Sequence, residues 1–172
     1  MNKKTAVIAV LILLGVFSVW AAAGGGKVAV LYNGNTQVNR QALHYMGQQF
    51  RSLGAPYEFS AVGKPGDIRP GDYDLVLILN TGMTSGVEPV LADFIHSWPD
   101  KSRLILITLH RGSRDFRVES FTASEDPLGV DSVSAATLWR SSGFGFLGKG
   151  SEVQRMHETW TLKVLELIDQ KL

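Results

Sequence analysis

Three short segments of this chain combine glycine with polar side chains and are the candidate reactive loops. They are Asn33-Gly34-Asn35-Thr36, Asn80-Thr81-Gly82-Met83-Thr84-Ser85-Gly86, and His110-Arg111 with the residues up to Asp115. Glycine lets the backbone turn tightly, and Asn and Thr side chains bond to nearby backbone groups. The plainer alternative is that Gly34, Gly82 and Gly86 only make turns. Arg111, Arg114 and Arg117 form a small basic cluster that can hold a phosphate or an acidic group. A solvated charged loop is the competing reading of that cluster. A fourth segment, Asp131-Ser132-Val133-Ser134-Ala135-Ala136-Thr137, ends on a hydroxyl preceded by small residues. From residue types alone it suits a helix start, with Ser134 as cap and Ala135, Ala136 and Thr137 as first turn.

Other chemistries are excluded by what the chain lacks. It contains no cysteine, which removes disulfides, thiolate metal sites and cysteine nucleophiles. It has no HExxH pattern and no Walker loop. Gly82-Met83-Thr84-Ser85-Gly86 has the wrong spacing for a hydrolase serine elbow. Glu125, Asp126 and Asp131 do not follow a calcium-loop spacing. His44, His96 and His157 fall at polar-face or boundary positions of predicted helices and are expected in solvent. His110 ends a predicted strand at the reactive edge, so it alone is a candidate.

The elements that must position these residues belong to one domain. The chain has 172 residues, 45% apolar and 19% charged, enough for a sizeable core. Its net charge of +1 argues against a general nucleic-acid binder. Lys3 and Lys4 precede an uncharged, apolar run of 19 residues from Thr5 to Ala23. Residues 1–23 are therefore a targeting segment, either a signal cleaved after Ala21-Ala22-Ala23 or a retained membrane anchor through residues 5–23. Both versions place the rest of the chain outside the cytoplasm, because the two lysines hold the N-terminus inside. Gly24-Gly25-Gly26 reads as a flexible joint. Residues 27–172 form the domain.

Strand and helix alternate through it. Lys27 to Tyr32, Asp74 to Asn80 and Arg103 to His110 are short Val/Ile/Leu runs of the kind buried on both faces of a parallel sheet. Thr36 or Asn35 caps a helix that runs to about Leu53, with Gly54 as its stop. Tyr57 to Val62 is a second strand. Val87, Val90, Leu91, Phe94, Ile95 and Trp98 follow helical spacing, and a final helix runs from about Glu152 to Lys171. Phe116, Val118 and Phe121 suit a short edge strand or hairpin. The order predicts an α/β fold, with an open, mainly parallel sheet of four or five strands and helices on both faces. Its reactive loops lie beyond the carboxyl ends of the strands.

The order of elements, the polar loop Tyr32-Asn33-Gly34-Asn35-Thr36 and the loop Asn80 to Pro89 resemble flavodoxins. That resemblance covers roughly residues 27–110 with the terminal helix added. It implies that Asn33, Gly34, Asn35 and Thr36 cradle the phosphate of FMN, while Thr81, Gly82, Met83 and Thr84 line the flavin, with His110 and Arg111 on the same edge. Asp131 to Thr137 is similar to the flavinylation motif of FMN-binding domains in sodium-pumping quinone reductases and Rnf-type complexes. This second resemblance implies FMN joined through its phosphate to the Thr137 hydroxyl, with Asp131 and Ser134 as part of the recognised pattern. Together they imply an exported flavoprotein that transfers electrons to or from a partner protein outside the cytoplasm. The alternatives are a cofactor-free binding or assembly module and an exported hydrolase on the same scaffold.

Overall fold

The computed structural model describes residues 25–34, 36–82, 86–111, 117–137 and 151–172. The segment expected to direct targeting, residues 1–23, lies outside them. Among the described residues, no helix is long and apolar enough to cross a membrane.

Among the described residues, the strands and α-helices follow the order β1 (Lys27–Tyr32), α1 (Gln37–Ser52), β2 (Glu58–Val62), β3 (Leu75–Thr81), α2 (Pro89–Ser97), β4 (Leu104–Arg111), β5 (Val118–Phe121), β6 (Asp131–Thr137) and α3 (Ser151–Lys171). Six strands form one sheet in the order β2-β1-β3-β4-β6-β5. All neighbours are parallel except β5 and β6. The first five positions follow the flavodoxin-like order, which reverses direction at β1 and β3. The sheet is one strand wider than expected, because β5 adds an antiparallel edge.

Sequence parity decides which face each strand residue enters. Val28 and Val30, Leu75, Leu77 and Leu79, and Ile105, Ile107 and Leu109 point to one face, where α1 and α3 cover them. Ala29 and Leu31, Val76 and Ile78, and Leu104 and Leu106 point to the other, where α2 covers them. A strand buried on both sides has no polar face to alternate with, which explains the unbroken apolar runs.

Three expectations need correction. Asp131 to Thr137 is not a helix start but a strand, paired with β4 on one side and β5 on the other. Its small residues fit because Ser132 and Ser134 face one side while Val133 and Ala135 enter the core on the other. His157 is buried rather than in solvent. It stands one turn before Trp160, whose indole N–H donates to His157 Nδ1 at 3.0 Å, and its ring lies 4.6 Å from that of Tyr45. Finally, Gly25 and Gly26 are not a loose joint. A β-carbon on Gly25 would sit 1.6 Å from the Pro56 carbonyl oxygen, and one on Gly26 2.9 Å from Leu172 Cδ1.

α3 is tied to the start of β2 by a buried hydroxyl. Tyr57 donates to Asp169 Oδ1 at 2.5 Å. Burial, and then the adjacent carboxylate as acceptor and as negative charge, pushes the Tyr57 hydroxyl up to about 12. A group whose pKa is raised by folding stabilises the protein fully below its unfolded value and loses that contribution as pH rises through the folded one. The window here runs from about pH 10, the ordinary tyrosine value, to about 12. Stability measured by urea unfolding is therefore expected to fall across that window. In Tyr57→Phe the fall should be shallower and the stability at pH 8 lower. An identical alkaline profile in the two proteins would remove Tyr57 as its source.

Candidate functional site

The sheet presents two edges, and the candidate residues gather at the carboxyl one. Tyr32 ends β1 there, Thr81 ends β3 and Arg111 ends β4. Between β1 and β3 the connections leave in opposite directions, so a crevice opens between their loops.

The first loop turns on Gly34, whose φ of +72° a side chain would strain against. Thr36 then caps α1, its hydroxyl accepting from the Asn39 N–H at 3.1 Å. Three residues into the helix, Asn39 is 3% exposed although it is an amide. Its Nδ2 donates to the carbonyls of both Asn33 and Gly34, each at 2.9 Å. Its Oδ1 accepts from the Thr81 hydroxyl at 2.5 Å. One side chain thus fastens the first loop to the end of β3.

The next residue back along β3 does the same on the opposite face. Asn80 is fully buried and donates to the Gly86 carbonyl at 3.0 Å. Its Oδ1 accepts from the Glu88 N–H at 3.2 Å, at the start of α2. Glu88 in turn accepts from Asn33 Nδ2 at 2.6 Å, which closes the circuit between the first and third strand loops. Each of these buried polar groups has a partner, as burial demands.

Of the residues picked from the sequence, the structure brings Asn33, Gly34, Thr36, Thr81, Gly82, His110 and Arg111 to this edge. Asn35, Met83 and Thr84 lie outside the described residues, as does Arg114. Gly82 is held by its N–H to the Leu109 carbonyl at 3.2 Å. Thr137 pairs with Arg111 and so also ends at the carboxyl edge. Asp131 does not join it. Six residues of strand at about 3.3 Å each put it roughly 20 Å away. There Asp131 accepts from the Ala123 N–H at 2.8 Å and pairs with Lys171 at 2.5 Å. Ser134 is half-buried midway along β6, beside an open groove of about 430 Å³ lined by Leu106, Thr108, Phe121 and Leu128.

Sequence reasoning missed Asn39, and it named Asn80 and Glu88 only as members of the second loop, without their fastening role. The signal was present for both amides. Asn39 shares the buried stripe of α1 with Ala42, Leu43, Met46 and Phe50, and Asn80 closes an otherwise apolar strand. An amide in such a position needs buried partners.

The arrangement can take an anion at one point. The first N–H groups of a helix have no partners within it, and the helix dipole favours negative charge there. Thr36 and Gln37 are exposed at the start of α1. The Thr36 hydroxyl accepts one bond and keeps its proton to donate. Among the described residues, nothing lies within 4 Å of a β-carbon built on Gly34, which leaves the turn uncovered by them. These residues fit a phosphate. They are less complete for a flat ring. The segment Asn80 to Pro89 contains no aromatic residue, and among the described residues the half-buried Tyr32 directly precedes the first loop.

No protein-family model and no curated protein matches this chain. Solved structures do. The chain is similar to a flavodoxin of Streptococcus pneumonia TIGR4, at 8% identity and TM-score 0.47, over 85% of this chain and 99% of that one. It is similar to the two-electron reduced flavodoxin of Megasphaera elsdenii, at 14% identity and TM-score 0.41, over 78% of this chain and 98% of that one. A mutant flavo di-iron protein from Thermotoga maritima matches at 13% identity and TM-score 0.44, over 83% of this chain but 36% of its own. This chain thus spans about a third of the di-iron protein. The fold assignment stands on the strand order above.

The closed circuit predicts unequal costs. Asn80→Ala leaves the Glu88 N–H and the Gly86 carbonyl without their partner and is expected to destabilise by about 1–3 kcal/mol. Asn33→Ala, at the solvent rim, should cost less than about 1 kcal/mol. Urea unfolding of the two variants checks the order, and an equal or reversed ranking would contradict it.

Proposed function

We propose that this protein is an exported flavodoxin-like carrier that holds FMN at the crevice between the β1 and β3 loops and exchanges electrons with a partner protein outside the cytoplasm. The observation that carries the reading is the open, glycine-turned loop feeding the capped N-terminus of α1 at the point where the sheet reverses. In this reading the phosphate meets the free N–H groups of the first turn of α1 and the Thr36 hydroxyl. Thr81 and Gly82 border the flavin, with Tyr32 as its nearest aromatic wall. Asn39 acts as a positioning residue, since it holds the two loops at a fixed separation without facing the ligand. FMN, when bound, supplies one- and two-electron chemistry that no side chain of this cysteine-free chain provides. Covalent attachment at Thr137 is the second mode of holding the flavin. Its place at the carboxyl edge supports that mode, and the distance of Asp131 weighs against it. Residues 5–23 serve as the export signal and, if retained, as a membrane anchor.

A cofactor-free assembly module is the competing function. The circuit Asn33–Asn39–Thr81 and Asn80–Glu88 favours it, because the loops satisfy one another and Glu88 adds a negative charge to the rim. Titration separates the two. The purified chain is expected to quench FMN fluorescence and to bind riboflavin, which lacks the phosphate, at least about tenfold more weakly, a difference near 1.4 kcal/mol. Intact mass after denaturation reports attachment at Thr137. Absence of quenching together with an unmodified mass would overturn the flavin reading.

A further inference from the structure

We infer that the amino edge of the sheet is a membrane-facing surface, held against the phospholipid headgroups by a leash too short to let the domain turn. The inference rests on the reading of residues 5–23 as a retained anchor. It is independent of whether flavin binds.

The leash is short because the glycines after the apolar run are part of the folded body. Gly25 lies against the Pro56 carbonyl too closely for any side chain. The Gly26 carbonyl accepts from the Glu58 N–H at 3.1 Å. Lys27 is then clamped by Asp74 on both sides, its N–H donating to Oδ2 at 2.7 Å and its carbonyl accepting from the Asp74 N–H at 2.9 Å. Only Gly24 stands between Ala23 and the docked segment, and one residue reaches at most about 3.6 Å. A body of this length has a radius of gyration near 15 Å. A leash so much shorter than the body fixes which end meets the anchor.

The surface around that entry suits the headgroup layer. Leu53 and Leu172, at the ends of α1 and α3, are 46% and 47% exposed. Leu53 stands three residues from Pro56, and Leu172 touches Gly26, so both flank the entry point. A cleft of about 610 Å³ opens beside Gly26 and Leu172, lined also by Asp74, Asp100, Arg103 and Lys171. Its charges are of both signs, as are those of a zwitterionic headgroup. Strand β1 carries the chain about 20 Å away from this edge. The candidate site therefore faces the aqueous side, open to a soluble partner.

The chain has no cysteine, so single labels are clean. Place one fluorophore at Leu53→Cys or Arg103→Cys on the amino edge, or at Gln37→Cys on the carboxyl edge. Put the full-length proteins in phosphatidylcholine vesicles containing nitroxide-headgroup lipid. The expected result is loss of most emission at positions 53 and 103 and little loss at 37. A Gly/Ser insertion of about ten residues after Gly24, with a reach near 18 Å, should erase that difference. Equal quenching at both edges would overturn the inference, and so would a difference that survives the insertion. Protein that fails to float with the vesicles would overturn it by removing the anchor itself, an outcome that flotation separates from the other two.

Discussion

Two adjacent residues at the end of β3 decide how the carboxyl edge is built. Asn80 and Thr81 point to opposite faces because strand side chains alternate. Each therefore meets a different helix. Thr81 bonds to Asn39 in the first turn of α1, and Asn80 bonds to the backbone that opens α2. The central strand of the crevice thus holds the start of a helix on either side. The first loop follows, since Asn39 also holds the carbonyls of Asn33 and Gly34. Had the apolar run of β3 extended one residue further, a leucine in place of Asn80 would leave Glu88 N–H and Gly86 without that partner.

The two edges divide the work. At the amino edge, Lys27 with Asp74, Tyr57 with Asp169, and Lys171 with Asp131 and the Ser102 carbonyl tie chain segments that are distant in sequence. These contacts lock strand to strand and helix to sheet. At the carboxyl edge the polar groups instead bond loop to loop and leave the first turn of α1 open. Rigidity at one end and an accessible helix start at the other are consistent with the carrier role proposed above. The groups that recognise a ligand then sit on elements already fixed by the core.

Much of the fold was legible in the residues. The runs at 27–32, 74–80 and 103–110 are almost wholly apolar and leave little face for water, which marks them as central parallel strands. Thr36 and Gly54 marked the ends of α1 as cap and stop. β6 was not legible, because Ser132, Ser134, Ala135 and Ala136 carry little strand preference; tertiary pairing with β4 overrides it. His157 was misread because one position on a helix stripe can be polar when a neighbour such as Trp160 supplies its hydrogen bond. At the site, the glycine loops could be seen but not the amides that join them. A bond between positions 39 and 81 has no sequence spacing that announces it.

Asn39 and Thr81 make the carboxyl-edge loops one fastened unit. A double-mutant cycle measures this directly, using Asn39→Ala, Thr81→Val and the pair in urea unfolding. A coupling energy of about 1 kcal/mol or more is expected, because either single change breaks the same bond. Additivity within about 0.5 kcal/mol would show that the two residues act separately and would contradict it.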